Sequence, residues 1–354
     1  MTRIMITGAG GSAAYNFRDA LRLDSNDHYV VGVDMKPYHL ELIDVNKRYI
    51  VPGVNDDVYV ETMNRLIEKE KIELLHPQPD VEVAFLARNR DKINAKTFLP
   101  DAEAIEICHD KMEFNKRMVE KGVAVPETVH ITSQQDLKDS LAALLKIQPK
   151  VWLRATRGAG SKASLPINSY YQGDAWIDYW RNFRGIDYGD FMASEFLPGH
   201  EFAWQSLWWN GELITAQARE RLEYIFGALT PSGQTSSPSV AKTVNRDDVN
   251  KTCEAAVRAV SDKPHGVYCV DLKEDGAGVP KVTEINIGRF FTTSNFFAHA
   301  GLNMPAMYLE LAMTGKLKEK PVQLNPLPAD LYWVRMIDMG FKLVKDGEWT
   351  SEKA

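Results

Sequence analysis

"VDLKEDGAGVPKVTEIN", residues 270–286, sets two apolar runs on either side of an acidic, glycine-containing connection. Two such runs read as the antiparallel strands of a hairpin. Side chains alternate along a strand, so Glu284 and Asn286 share one face. Setting residue 273 opposite 280 puts 271 opposite 282, and Asp271 then joins Glu284 on that face as a diagonal neighbour, roughly 7–8 Å away. Carboxylates that close repel and raise each other's pKa unless a cation lies between them. Two carboxylates and an amide are oxygen-only ligands, which Mg²⁺ accepts while keeping water and phosphate in its other positions. The spacing therefore predicts a metal site at Asp271, Glu284 and Asn286. The competing explanation, acidic residues on a wet sheet face, fits poorly with Val270, Leu272, Val282, Ile285 and Ile287 around them.

Upstream of the hairpin, strands dominate from residue 191: "FMASEFL", "EFAWQSLWW" and "GELITAQARERLEYI", with one helix, "DDVNKTCEAAVRAVSD". Before them, "DKMEFNKRMVEKG" reads as a helix ending at Gly122, and "QQDLKDSLAALLKI" as another. "KVWLRA" and "SKASLPI" flank a glycine turn in the manner of an antiparallel hairpin. Residues 3–93 instead alternate strand and helix: "RIMIT", "YNFRDALRL", "YVVGVD", "VYVETMNRLIEKEK", "IELLHPQ" and "VEVAFLARNRDKI". That alternation implies a parallel, doubly wound sheet. The expected fold class is α/β: a Rossmann-like domain over 1–105, then a two-part domain with antiparallel sheets over 106–190 and 191–317. A C-terminal extension covers 318–354, in which "DGEWTSEKA" reads as a loose tail.

The chain has 354 residues, 44% hydrophobic and 25% charged, with a net charge of −6. This is ordinary for a globular protein of two or three subdomains. No Lys/Arg-rich block marks a nucleic-acid footprint. Cys108, Cys253 and Cys269 are far apart and lack metal or disulfide spacing, so they are expected to be small buried hydrophobes. No apolar stretch approaches the ~18 residues of a membrane span. No signal-peptide layout precedes "RIMITG", and the expected location is the cytoplasm.

Two glycine turns suit phosphate. "TGAGGSAA" carries Gly8-x-Gly10-x-x-Ala13 between a strand and a helix, and Asp34 ends the next strand. This matches the dinucleotide fingerprint and supports a rival reading, an NAD(P)-dependent oxidoreductase. No Y-x-x-x-K pair or other hydride-transfer constellation accompanies it. "RATRGAGSKAS", residues 154–164, is not a P-loop, but a Gly/Ser turn between strands can aim backbone N–H groups of Gly158, Gly160 and Ser161 at phosphate oxygens. Arg154, Arg157 and Lys162 add positive charge there. On "QARERLEY", Arg219 and Arg221 alternate, so both face one way and Glu220 the other. They are candidates to grip phosphate or a substrate carboxylate, against a solvated sheet face. "FGALTPSGQTSS" and "GRFFTTSNFF" are expected to line an acceptor pocket.

In sequence order these pieces resemble the ATP-grasp superfamily of ATP-dependent ligases, especially single-chain proteins related to one half of the carbamoyl-phosphate synthetase large subunit. The resemblance runs from about residue 3 to 317, and the hairpin is its most specific part. It implies that Lys111 faces nucleotide phosphates and that Arg154 stands where a lysine is usual, keeping charge while changing geometry. In "ASEFLPGHEF", it implies that Glu195 and the backbone of Phe196 and Leu197 meet adenine, and that Glu201 meets ribose. It implies Mg²⁺, or Mn²⁺, at Asp271, Glu284 and Asn286. The family's E-x-N-x-R reads here as Glu284-Ile-Asn286-Ile-Gly-Arg289, the arginine one position late; its implied role is to steady an acceptor phosphate or carboxylate. The expected activity is ADP-forming ligation of a small-molecule carboxylate and an amine through an acyl phosphate. A catalytically silent nucleotide-binding protein is the non-enzymatic alternative, and a homodimer is left open.

Overall fold

A computed structural model of the protein describes residues 1–158, 163–235, 237–337 and 340–346. The amino-terminal sheet contains β1 (Thr2–Thr7), β2 (His28–Asp34), β3 (Lys47–Ile50) and β4 (Leu74–His76), all parallel in the order β3-β2-β1-β4. Ile4, Met5, Ile6, Val30, Val31 and Val33 are buried, as continuous apolar runs covered on both faces must be. The expected crossover helices are Ser12–Arg22, Tyr59–Glu70 and Asp80–Arg88. Strand β3, two exposed lysine and arginine positions followed by Tyr-Ile, was not anticipated.

The first glycine turn is filled by the chain itself. Gly8 has φ +58°, and a Cβ there would lie 2.6 Å from Cγ of Pro79. The Gly10 N–H donates to the Asp34 carboxylate at 2.9 Å. The carboxylate that a dinucleotide ribose would use thus caps the turn's own backbone.

A second sheet, β5 (Thr128–Ile131), β6 (Val151–Ala155), β7 (Leu165–Ile167) and β8 (Phe191–Glu195), is antiparallel in the order β5-β8-β6-β7. It includes the expected β6–β7 hairpin; Gly160, Ser161 and Lys162 of the intervening turn lie outside the described residues. Its own small core contains Leu137, Leu141, Val151, Leu153, Ile177 and Phe191. Ile177 belongs to a helix that sequence reading missed, Tyr170–Arg184, ended by Gly185 at φ +64°. Its Tyr, Trp and Phe content favours strands by composition, whereas tertiary packing holds it helical.

The third sheet has seven strands: β9 (Glu201–Trp209), β10 (Glu212–Tyr224), β11 (Pro238–Val244), β12 (Gly266–Glu274), β13 (Pro280–Ile287), β14 (Leu331–Met336) and β15 (Gly340–Lys345). Their order is β13-β12-β9-β10-β11-β14-β15, all antiparallel. The segment after residue 317 therefore contributes two strands to this sheet. Helix Asp247–Val260 packs beneath the β12–β13 hairpin, burying Val249, Cys253, Ala256, Val257 and Val260 on one face. All three cysteines are free and buried.

The β12–β13 register differs from the sequence expectation. Lys273 pairs with Lys281 and Leu272 with Val282, but Asp271 pairs with Glu284, leaving Thr283 as an extra residue. Uninterrupted, this ladder would place Asp271 opposite Thr283 and send Glu284 to the far face. The β-bulge restores the phase and makes the carboxylates directly opposed rather than diagonal. It is anchored on both sides: Arg154 donates to the Thr283 carbonyl at 3.0 Å, and the Thr283 hydroxyl donates to the Asp271 carbonyl at 3.1 Å.

Candidate active site

A cleft of about 470 Å³ opens between the second and third sheets. Lys111, Arg154, Gly158, Glu195, Phe196, Leu197, Glu201, Arg221, Asp271, Glu284, Asn286 and Arg289 all line it. Side chains as distant in sequence as Lys111 and Arg289 are thus gathered around one space, most of them by strand pairing.

Pairing sets the layout of the cleft floor. Glu284 lies opposite Asp271, Asp271 opposite Ala203, and Ala203 opposite Arg219. One step along, Lys273 lies opposite Glu201 and Glu201 opposite Arg221. Paired residues share a face, so acids, a small residue and bases form rows across four strands. Arg221 donates to Asp271 at 2.6 Å and to Glu201 at 3.0 Å. Glu201 also accepts from the Tyr224 hydroxyl and, at 2.8 Å, from Gln234. The carboxylate expected at ribose is therefore already held by three donors.

Asn286 donates to Asp271 at 3.1 Å and accepts from Arg289 at 2.6 Å. The displaced arginine reaches this position because Gly288 turns the chain at φ +75°, where a Cβ would lie 2.6 Å from Val83. Arg289 also binds both carboxylate oxygens of Asp80. A hydrogen-bonded line thus runs Glu201–Arg221–Asp271–Asn286–Arg289–Asp80. Sequence reading missed Asp80, the first residue of helix Asp80–Arg88 in the amino-terminal region; an acid at a helix start looks like ordinary dipole compensation.

Burial pushes the Asp271 carboxyl up to about 6, with Arg221 pulling it down and Glu284 and Glu201 pushing it further up. Burial would raise Asp80 too, but the Arg289 guanidinium outweighs it and holds Asp80 below its ordinary value. Burial lowers Lys111, against the pull of Glu284. Lys111 starts helix Lys111–Glu120, capped by Asp110, and its Nζ donates to the Gly158 carbonyl at 2.8 Å. Arg154 lies 3.7 Å from Glu284. Glu195 is paired with Lys281 at 2.7 Å, so its carboxylate is engaged, and the Phe196 and Leu197 segment follows it along the cleft.

Among the described residues, no group of three or more His, Cys, Asp and Glu side chains forms a metal cluster. The oxygen set of Asp271, Glu284 and Asn286 still fits a hard divalent cation, because two directly opposed carboxylates, one with a raised pKa, are relieved by positive charge between them. Arg219 stands apart. It is 1% exposed, does not line the cleft, and packs against Phe291 and Phe297. Of the two segments expected at the acceptor pocket, Gln234, Thr235, Phe291 and Thr292 reach the cleft.

No helix among the described residues is long and apolar enough to cross a membrane. The PylC-like, N-terminal domain family matches residues 4–98. No curated protein matches the sequence. The fold is similar to that of an L-amino acid ligase from Bacillus licheniformis, with a TM-score of 0.67 and 13% identity over 94% of this chain and 79% of that one. An N5-carboxyaminoimidazole synthetase from Staphylococcus aureus gives a TM-score of 0.66 and 14% identity over 94% and 81%. The biotin carboxylase domain of a Hydrogenobacter thermophilus 2-oxoglutarate carboxylase, in complex with MgADP, gives 0.66 and 15% over 94% and 73%. With a parallel sheet followed by two antiparallel sheets that enclose the cleft, this chain has the ATP-grasp fold.

Proposed function

We propose that the protein is an ATP- and Mg²⁺-dependent, ADP-forming ligase that joins a carboxylate to an amine. The observation that carries this reading is the hydrogen-bonded line from Glu201 to Arg289, with Glu284, Arg154 and Lys111 beside it. Lys111, Arg154 and the Gly158 turn would hold the nucleotide phosphates, and the segment Glu195–Leu197 would receive the base. Asp271, Glu284 and Asn286 would hold Mg²⁺, which supplies neutralisation of phosphate charge.

A substrate carboxylate oxygen attacks the γ-phosphorus and ADP leaves, giving an acyl phosphate. The amine nitrogen then attacks the acyl carbon, loses a proton, and inorganic phosphate departs. Arg221 and Arg289, both largely buried and oriented by carboxylates, would hold the reacting anions in place. Residues 106–190 would cover the phosphates, and the seven-stranded sheet, which β14 and β15 complete beyond residue 317, would form the floor.

Release of ADP and phosphate, measured with MgATP over a panel of carboxylic acids and amines, tests the reading. A ligand at 100 times its Kd adds about 2.7 kcal/mol of stability, a melting shift of several degrees. A shift with NAD and none with Mg·ADP would overturn it.

A further inference from the structure

Arg219 makes no ion pair among the described residues; the Asp271 carboxylate acts on it only from across Ala203. Its Nη1 donates to the Thr293 carbonyl at 3.3 Å, and its Nε, though buried, has no partner among the described residues. Burial, with Arg221 beside it, pulls its guanidinium down to about 9. Arg335 on β14 shares the face: Val334 pairs with Val240 and Trp333 with Ala241, itself opposite Arg221. Arg335 is partly buried and makes no ion pair among the described residues, and its charge acts on Arg219. Of these three arginines, Arg221 alone is met by carboxylates among the described residues.

Polar atoms on the segment that accepts from Arg219, and at Gln205 on the same sheet face, also lack partners among the described residues. These are Thr293 Oγ1, Ser294 Oγ, Asn295 Oδ1 and Gln205 Oε1, all buried. Phe291 links this cluster to the cleft: it lines the cleft, and its ring centre is 5.1 Å from the Arg219 guanidinium and 5.6 Å from that of Arg221. Ala203 is the single small residue between Asp271 and Arg219 in their row, and it is buried in the same apolar cluster as Phe291. A buried, unpaired cation is costly, and a chain that keeps one gains from an anion placed there.

We propose that the cleft wall at Phe291, backed by Arg219 and Arg335, is a subsite for a second anionic group of the substrate. The acid activated here is then a dicarboxylate. One carboxylate reacts beside Asp271 and Glu284, and the other meets Arg219 when the Phe291 ring swings aside. This rests on the ligase reading for the reacting carboxylate, but the anion site itself can be tested without turnover.

Melting of the full chain is followed with succinate and glutarate, with acetate and butyrate as monocarboxylate controls, and separately with Mg·ADP. The dicarboxylates are expected to raise Tm and the monocarboxylates to leave it. Arg219→Met is expected to melt no lower than the parent without ligand, to weaken succinate binding at least tenfold, and to keep its Mg·ADP shift. Should Arg219→Met fail to fold, Arg335→Met, at a less buried position, is expected to weaken succinate binding in the same direction. Equal shifts from mono- and dicarboxylates, or undiminished succinate binding in the folded variant, would overturn the subsite. A missing Mg·ADP shift alongside an intact succinate shift would instead overturn the ligase reading.

Discussion

Arg289 joins Asp80 to Asn286, tying the first helix beyond β4 to the end of the β12–β13 hairpin across 209 positions of sequence. Asp80 thereby fixes the guanidinium that orients Asn286, which in turn holds Asp271. Asp80→Asn removes the charge while keeping the shape. Turnover is expected to fall about 10–100-fold, as when an outer partner of a ligand set is lost. Steady-state kinetics should show the loss mainly in kcat, with the KM for ATP little changed.

Glu284 has a side chain 34% exposed, and its partner Arg154 lies at 3.7 Å, so little stability depends on it. Glu284→Ala is expected to change unfolding free energy by about 0.5 kcal/mol or less. It should abolish metal-dependent ADP release. A folded Glu284→Ala protein that still releases ADP at the parent rate would rule out the metal assignment.

Arg154→Lys separates charge from geometry. The guanidinium spans two targets, the Thr283 carbonyl and the Glu284 carboxylate, which an ammonium cannot serve together. The expected result is a rise of about tenfold in the KM for ATP, one lost charge-assisted contact of about 1.4 kcal/mol. Unchanged KM would mean that the bulge holds without its anchor.

The shared face of Asp271, Glu284 and Asn286 was legible in the sequence because period-two alternation is a local signal. The bulge was not. Thr283 is a β-branched residue that fits a regular strand as well as a bulged one, so nothing local distinguishes the two registers. Gly288 was visible as a glycine, but its close approach to Val83, which brings Arg289 back by one position, depends on a tertiary contact. Asp80 and Lys281 escaped for the same reason: each acts through a partner far along the chain.

Asp271 sets the acid limit of the site. Its pKa, raised by burial to about 6, lies above the ordinary carboxylate range, so near neutral pH it is ionised and below about 6 it takes up a proton. A proton and a divalent cation compete for the same oxygens. Mg·ADP affinity, measured by titration calorimetry, is therefore expected to be level above pH 7 and to weaken about tenfold per unit well below pH 6. The sign for folding is the opposite. An acid whose folded pKa exceeds its unfolded value favours the folded state at low pH and loses that contribution as pH rises through about 6. Asp271→Asn should remove the pH dependence of stability in this window together with metal binding, and an unaltered pH profile in that variant would assign the acid limb to another group.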